Sequence, residues 1–357
     1  MKKVGLLLGG LLVCIIIVII GGLIFYKSQI GPVSNSSEKI TFEVKEGDTY
    51  YSIGSSLKDK GLIKSEQVYK IYLKLNKPST NLKIGIYYLS PNMGINDIIN
   101  TLSGKGISSD ITITFKEGKN MRYIANVIAT NTNNSEDDVY TLLKDQNYLK
   151  ELINEYWFID ESILNKNIYY SLEGYLFPNT YNFKDKDVSV KEIFKTMLDE
   201  TAKQIEPYKQ DIINSQYSMH QILTLSSIVE LEALNEQDRA QVAGVFYNRL
   251  KSNMSLGSDV TTYYAAKVDM SERDLYASEI NDINYYNTRP VSMAGKLPIG
   301  PICNPSLSSI LATLKPVNSN YYFFVADKNG KVYYTKTNAE HEQLIVKLRN
   351  EGLWYEY

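Results

Sequence analysis

Residues 4–26 carry no charge; they form an apolar run bounded by Lys2 and Lys3 on one side and Lys27 on the other. At about 1.5 Å of rise per residue, a helix of that length crosses a hydrocarbon core of about 30 Å. The segment predicts a single N-terminal transmembrane helix. A cleaved signal peptide is the competing reading, but the run is longer than an ordinary h-region and no A-x-A-like site follows it. Cys14 follows Val13 and sits inside the apolar run, which does not suit a lipid-modified terminus. Two lysines on the short side place residues 1–3 in the cytoplasm and everything after Tyr26 on the far side of the membrane.

Residues 27–39 (KSQIGPVSNSSEK) are polar and contain Gly, Pro and Ser, the composition of a linker. The remainder of the 357 residues is long enough for two domains, and 44% hydrophobic with 22% charged residues is the balance of a globular chain. A net charge of −2 gives no electrostatic footprint for nucleic acid, so no such partner is expected. Cys14 and Cys303 cannot build a disulfide framework. His220 and His341 are the only histidines, and no Cys or His cluster has metal-ligand spacing, so neither a metal nor another cofactor is expected. Neither histidine stands near a nucleophile signature such as G-x-S-x-G. An enzyme made from this chain would rely on carboxylates. The 29 tyrosines read as half-buried packing residues, or alternatively as a stacking surface for sugars.

Alternation over 40–44, a turn at Glu46-Gly47-Asp48, helical spacing over 51–57 and 65–75, a strand over 82–89 and a helix over 95–102 predict a small α+β module at 40–106. It resembles a LysM module, the small fold by which many wall proteins hold glycan; a spacing domain without glycan affinity stays equally open. The Gly/Ser-rich stretch 103–110 ends it, and a larger α+β domain is expected over 107–357. There 111–115 alternates as a strand, Glu117-Gly118 opens a turn, 123–153 has a helical pattern, 173–181 is an irregular aromatic segment broken by Pro178, and 190–209 reads as a long helix.

The run HQILTLSSIVELEAL at 220–234 has no Gly or Pro and enough apolar residues to be a buried helix, yet it contains Glu230 and Glu232. At helical spacing Ser226, Ser227, Glu230, Ala233 and Leu234 share one side. The small neighbours are expected to open a cleft above Glu230, with apolar flanks around it, surroundings that suit a general acid. A glutamate on a helix is more often a solvated charge or the partner of an arginine such as Arg239 or Arg249. The residues that follow shift that balance.

SSIVELEA at 226–233, VAGVFYNRL at 242–250 and LGSDVTTYY at 256–264 resemble, in order and spacing, the catalytic core of the endolytic murein transglycosylase family, MltG or YceG-like. EGYLFPNTY at 173–181, LPIGPICNP at 297–305 and YFFVAD at 322–327, with Thr335, Thr337 and His341, extend the resemblance over about residues 42–348. Val260 departs from the family's usual Pro, and Leu231 stands where a basic residue commonly separates the two glutamates.

The resemblance implies that Glu230 is the single catalytic acid/base and that Glu232 matches the second carboxylate of the segment. It implies cleavage of the bond between N-acetylmuramic acid and N-acetylglucosamine in nascent peptidoglycan strands, with 1,6-anhydro ends and termination of strand elongation. It places the enzyme in a bacterial cell membrane with its catalytic domain outside, and implies a partnership with peptidoglycan synthases. Asn248, Ser258, Asp259 and Thr261 are candidate substrate contacts because polar side chains cluster there, although each also suits a turn or cap. Arg249 and Glu173 are expected as a buried pair. A muramidase using Glu232 or Asp259 to activate water, or a wall-binding scaffold without catalysis, are the alternatives.

Overall fold

The computed structural model describes residues 2–77, 82–104, 111–233 and 235–354, with the side chains of 2–15 outside that description. The chain divides into two compact units, Met1–Asp110 and Ile111–Tyr357. The fold is α+β throughout.

In the first unit α1 (Lys2–Ile30) is a single 29-residue helix. Among the described residues no helix is long and apolar enough to cross a membrane. The span expected at 4–26 falls in part on side chains outside the description; its described part, from Ile16 to Phe25, is apolar and mostly exposed. Beyond it come β1 (Ile40–Val44), α2 (Gly54–Asp59), α3 (Glu66–Asn76), β2 (Gly85–Leu89) and α4 (Ile95–Ser103). The two strands pair antiparallel, Ile40 opposite Leu89 and Val44 opposite Gly85, with both short helices inserted between them in the chain. Period-two alternation buries Phe42 and Val44 on one strand and Tyr87 and Leu89 on the other. Ser65 caps α3 by accepting from the Val68 amide at 3.3 Å, and Val68, Tyr69 and Leu73 form its buried stripe.

In the second unit β3 (Ile111–Thr114) pairs antiparallel with β4 (Thr180–Phe183), Ile113 opposite Tyr181. The aromatic segment expected to be irregular therefore ends as a strand, because β3 needs a backbone partner for its own amides and carbonyls. The helical stretch expected over 123–153 is three helices, α5 (Met121–Asn131), α6 (Glu136–Leu142) and α7 (Gln146–Glu155). A capping box of Ser135 with Asp138 and a cap by Asp145 restart the chain at each break. The long helix α8 (Val190–Ile205) ends before Pro207, which sits in a 3₁₀ turn ahead of α9 (Lys209–Ile213).

Next is α10 (Met219–Glu232), whose residues from Met219 to Val229 are all buried except Gln221. A helix that is apolar on all sides belongs in an interior, and α10 packs against α11 (Arg239–Lys251), α12 (Asp259–Ala266) and, beyond the short α13 (Ala277–Ile280), α14 (Leu307–Leu314). A hairpin of β5 (Phe323–Ala326) and β6 (Val332–Thr335) and a final helix α15 (Asn338–Asn350) close the unit.

Candidate active site

The C-terminal end of α10 carries Glu230, whose side chain is 6% exposed. Its Oε1 accepts from Arg239 Nη2 at 3.1 Å. Its Oε2 accepts from the Ser306 amide at 3.0 Å and the Ser306 hydroxyl at 2.6 Å. Arg239 opens α11 and also donates from Nη1 to Ser306 Oγ at 2.8 Å and to Ser308. The apolar flanks expected around Glu230 are thus replaced by a cation, a backbone donor and a hydroxyl.

Ser226 and Ser227 also do something other than expected. Both are fully buried, and neither opens a cleft. Ser227 Oγ accepts from the Ile302 amide at 3.0 Å, and its carbonyl receives Cys303 Sγ at 3.4 Å. At the start of α10, His220 Nε2 lies 2.8 Å from the Ile299 carbonyl and Nδ1 lies 2.9 Å from Tyr175 Oη. A carbonyl can only accept, so Nε2 carries the proton and Nδ1 accepts from the tyrosine. Burial pushes the His220 pKa down, in keeping with a neutral ring. The segment 297–306 is in this way pinned alongside α10 at positions 220, 227 and 230, and delivers Ser306 to the carboxylate.

Asn304, in the same segment, ties the site to the rest of the unit. Its Oδ1 accepts from the Leu176 amide at 3.0 Å, and its Nδ2 donates to the Lys119 carbonyl at 3.1 Å and to Glu173 Oε1 at 3.3 Å. Glu173, 1% exposed, accepts further bonds from the Met121 amide at 3.0 Å and Tyr264 Oη at 2.9 Å. Burial pushes its pKa up to about 8 against the opposing pull of those donors. The pair of Glu173 with Arg249 does not form. Arg249 instead donates to the carbonyls of Tyr322, at 2.6 Å, and Leu256. Gly174 has φ +85°, and a Cβ there would stand 2.5 Å from Pro301, so only glycine lets this strap close on the loop.

The turn 117–118 passes over the C-terminal end of α10. Gly118, at φ +69°, donates to the Asn304 carbonyl at 3.0 Å, and a Cβ on it would lie 3.5 Å from Glu230 Cγ. This brings Glu117, read from sequence only as part of a turn, to the site. Its pKa is raised, first by burial and then by the charge of Glu230.

Glu232 lies two residues beyond Glu230, about 200° around the helix, and does not share its face. Its Oε1 accepts from Ser258 Oγ at 2.5 Å, and burial raises its pKa. Ser258 is buried, and its amide donates to Thr288 Oγ1 at 3.0 Å. Thr261, also buried, shares its hydroxyl with the Ser258 carbonyl at 2.7 Å and Thr288 Oγ1 at 2.8 Å. Asn248 donates to the carbonyls of Ser319 and Tyr321, both at 2.9 Å. Asp259 is exposed and receives Arg289 Nε at 2.6 Å. The hydroxyls of Ser258 and Thr261 are thus committed to internal bonds that fix the segment 258–261, and the Asn248 amide to the segment 319–321, while Asp259 stands on the surface.

A groove of about 630 Å³ is lined by Gly118, which packs on Glu230, by Leu231, which follows it, and by Lys119, Ile302, Arg122, Tyr123 and Tyr263. A larger cavity of about 750 Å³ lies around Ser218, His220 and Lys296 and has no carboxylate in its wall. It adjoins the opposite end of α10, ten residues or about 15 Å from Glu230, so the smaller groove is the one nearer that carboxylate.

Residues 42–347 match the model of the YceG-like family. The chain is 37% identical to an endolytic murein transglycosylase of Bacillus subtilis over 91% of its own length and 89% of that protein. It is 30% identical to an endolytic murein transglycosylase of Streptococcus pneumoniae over 90% of its length, spanning 60% of that relative. A crystal structure of a YceG-like protein from Listeria monocytogenes superposes with a TM-score of 0.61 at 35% identity, covering 87% of this chain and all of that one. The order of the motifs around Glu230 and the extent of these matches lead to one conclusion: the chain belongs to the YceG-like family.

Proposed function

We propose that this chain is an endolytic peptidoglycan lytic transglycosylase that cuts nascent glycan strands between N-acetylmuramic acid and N-acetylglucosamine, with Glu230 as acid and then base. The observation that carries this reading is the grip on Glu230, one oxygen held by Arg239 and the other by Ser306, with its neighbours Gly118 and Leu231 lining a groove, in a chain of this family. A carboxylate has about four acceptor positions. Three are taken here, which leaves one on Oε1 for a substrate proton.

Glu230 donates a proton to the bridging oxygen, the bond from that oxygen to C1 of the muramyl ring breaks, and C1 takes on oxocarbenium character. The carboxylate then removes the proton of the muramyl 6-hydroxyl, whose oxygen closes on C1. The proton returns to Glu230, no water is consumed, and the product end is a 1,6-anhydro ring. Arg239, 3.1 Å from Oε1, supplies positive charge beside the carboxylate while the proton is away.

A muramidase would need a second carboxylate to activate water. Glu232 points to another side of α10 and Asp259 is paired with Arg289, which leaves Glu117 as the carboxylate that senses Glu230. The ends of the products decide between the two reactions. Uncrosslinked glycan incubated with the full chain should yield anhydromuramyl ends by mass spectrometry. Free reducing ends would make it a hydrolase, and intact strands that are nonetheless bound would make it a scaffold.

The same proposal anchors the protein in the membrane through residues 4–26, with a LysM-like module at 40–106, the catalytic domain at 107–357 outside the cell, and peptidoglycan synthases as neighbours. The 29-residue α1 with its exposed apolar surface supports the anchor, and the β1-α2-α3-β2 order with an antiparallel pair supports the LysM-like reading.

A further inference from the structure

We infer that the groove beside Glu230 receives the peptide stem of the muramyl residue, reading a stem carboxylate at Lys119 and the free amine of an uncrosslinked stem at its far end. This rests on the reaction proposed above and adds a reason for a preference for newly made strands. At about 630 Å³ the groove falls in the range of about 300–1,000 Å³ typical of sites for small ligands.

Its charges are laid out in order. Lys119, next to the Gly118 that packs on Glu230, has its ammonium over the Tyr123 ring at 5.8 Å and has no carboxylate partner among the described residues. The next cation, Arg122, is already engaged by Asp269 at 3.2 Å and by the Lys267 carbonyl. One turn further along α5, Asn126 makes a long contact of 3.4 Å to Glu136; Asp269, held by Arg122, and Glu272 also line the groove. Lys119 precedes α5, and Arg122 and Asn126 follow one turn apart on it, about 6 Å of rise, so the Lys119 cation at the sugar end is followed along the groove by the Glu136 carboxylate at Asn126.

A peptidoglycan stem has a matching order. Moving away from the sugar, an acidic residue offers a carboxylate and the following diamino acid offers a side-chain amine, separated by roughly the reach of two extended residues, about 7 Å, plus a side chain. Crosslinking turns that amine into a neutral amide. A groove with carboxylates at that point favours strands not yet crosslinked, which are the newest ones.

The test uses the full chain in detergent and three substrates: uncrosslinked stem-bearing strands, the same strands with the amine acetylated, and strands stripped of stems by an amidase. We expect stem-bearing strands to be cleaved about tenfold faster than stripped ones, the scale of one charge-assisted contact. Lys119→Gln should pull that ratio toward one. Acetylation should slow the wild type but change little in Glu136→Gln. A wild-type ratio near one, or a Lys119→Gln loss equal on stem-bearing and stripped strands, would overturn the inference and assign the groove to sugar rings. If the wild type cleaves nothing, the reaction proposal fails by itself. Calorimetry with a soluble uncrosslinked stem peptide then decides the groove: binding weakened about tenfold by Lys119→Gln supports it, and no binding overturns it.

Discussion

In the first unit the buried residues, from Phe42 to Leu102, are apolar or aromatic, whereas the second unit encloses Glu173, His220, Asn304 and a series of buried serines and threonines. Tyrosines apart, every buried polar or charged side chain among the described residues falls in the second unit. Burying such groups costs stability unless each finds partners, and a network that is fully satisfied specifies one arrangement. The interior of the first unit is mainly apolar area, joined by the Tyr87 hydroxyl donating to the Lys83 carbonyl at 2.7 Å. The second spends buried hydrogen bonds on holding the segment 297–306 against α10, and the outcome is the position of one carboxylate.

Breaking the network at the carboxylate should have the largest effect. Arg239→Ala removes the cation on Oε1 and should lower the rate of strand cleavage by about 100-fold, in the range found for loss of one preorganised charged donor. Ser306→Ala leaves the amide on Oε2 in place, so about tenfold is expected, and near-ultraviolet circular dichroism should show both variants folded. The Ser306 hydroxyl also caps α14 by accepting from the Ser309 amide at 3.4 Å, and equal losses in the two would mean that it acts through this cap and not through its bond to Glu230.

The next effect is a pH dependence located in the second unit. Glu173 titrates at about 8 in the folded chain and near 4.3 when unfolded, so the folded state keeps this proton longer. Its stabilising contribution is complete below the unfolded value and is lost as pH rises toward about 8, at up to about 1.4 kcal/mol per pH unit. Urea unfolding between pH 5 and 8.5 should show this slope in the wild type and a flatter one in Glu173→Gln. An unchanged slope in the variant would place the linkage elsewhere.

The smallest effect sharpens the comparison by making one substitution in both units. Tyr69 buries its hydroxyl in the first unit without a partner among the described residues, while Tyr175 donates to His220. Tyr69→Phe should stabilise the first unit by about 1 kcal/mol, and Tyr175→Phe should destabilise the second by about the same. Hydrogen exchange resolved by unit reads both, and effects of the same sign would show that the two interiors do not differ in this way.

The contrast also explains what the sequence allowed to be read. The alternation of β1 and β3 and the apolar stripes of α3 and α4 are local, so periodicity locates them to within a few residues. Glu230 was legible because a series of motifs surrounds it in order. Its partners were less so: Arg239 was named only as a generic ion-pair candidate, and Ser306 lies 76 residues downstream, where no spacing rule reaches. Glu117 was hidden inside a turn signal. Ser226 and Ser227 were misread because small residues on a helix can open a cleft or admit a neighbouring backbone, and only the docked segment 297–306 distinguishes the two. The breaks at 132–135 and 143–145 were signalled by cap residues that a helical pattern on both sides outweighed.

The account stands on the claim that one of two adjacent glutamates does the chemistry and the other holds a loop. The direct measurement is the single-turnover cleavage rate of full-length Glu230→Gln and Glu232→Gln on the same uncrosslinked strands. The account predicts a loss of about 1,000-fold or more for Glu230→Gln, the scale of losing a general acid that also serves as base, and less than about tenfold for Glu232→Gln. A Glu230→Gln enzyme that still cleaves, or a Glu232→Gln enzyme equally inactive while folded, would contradict it.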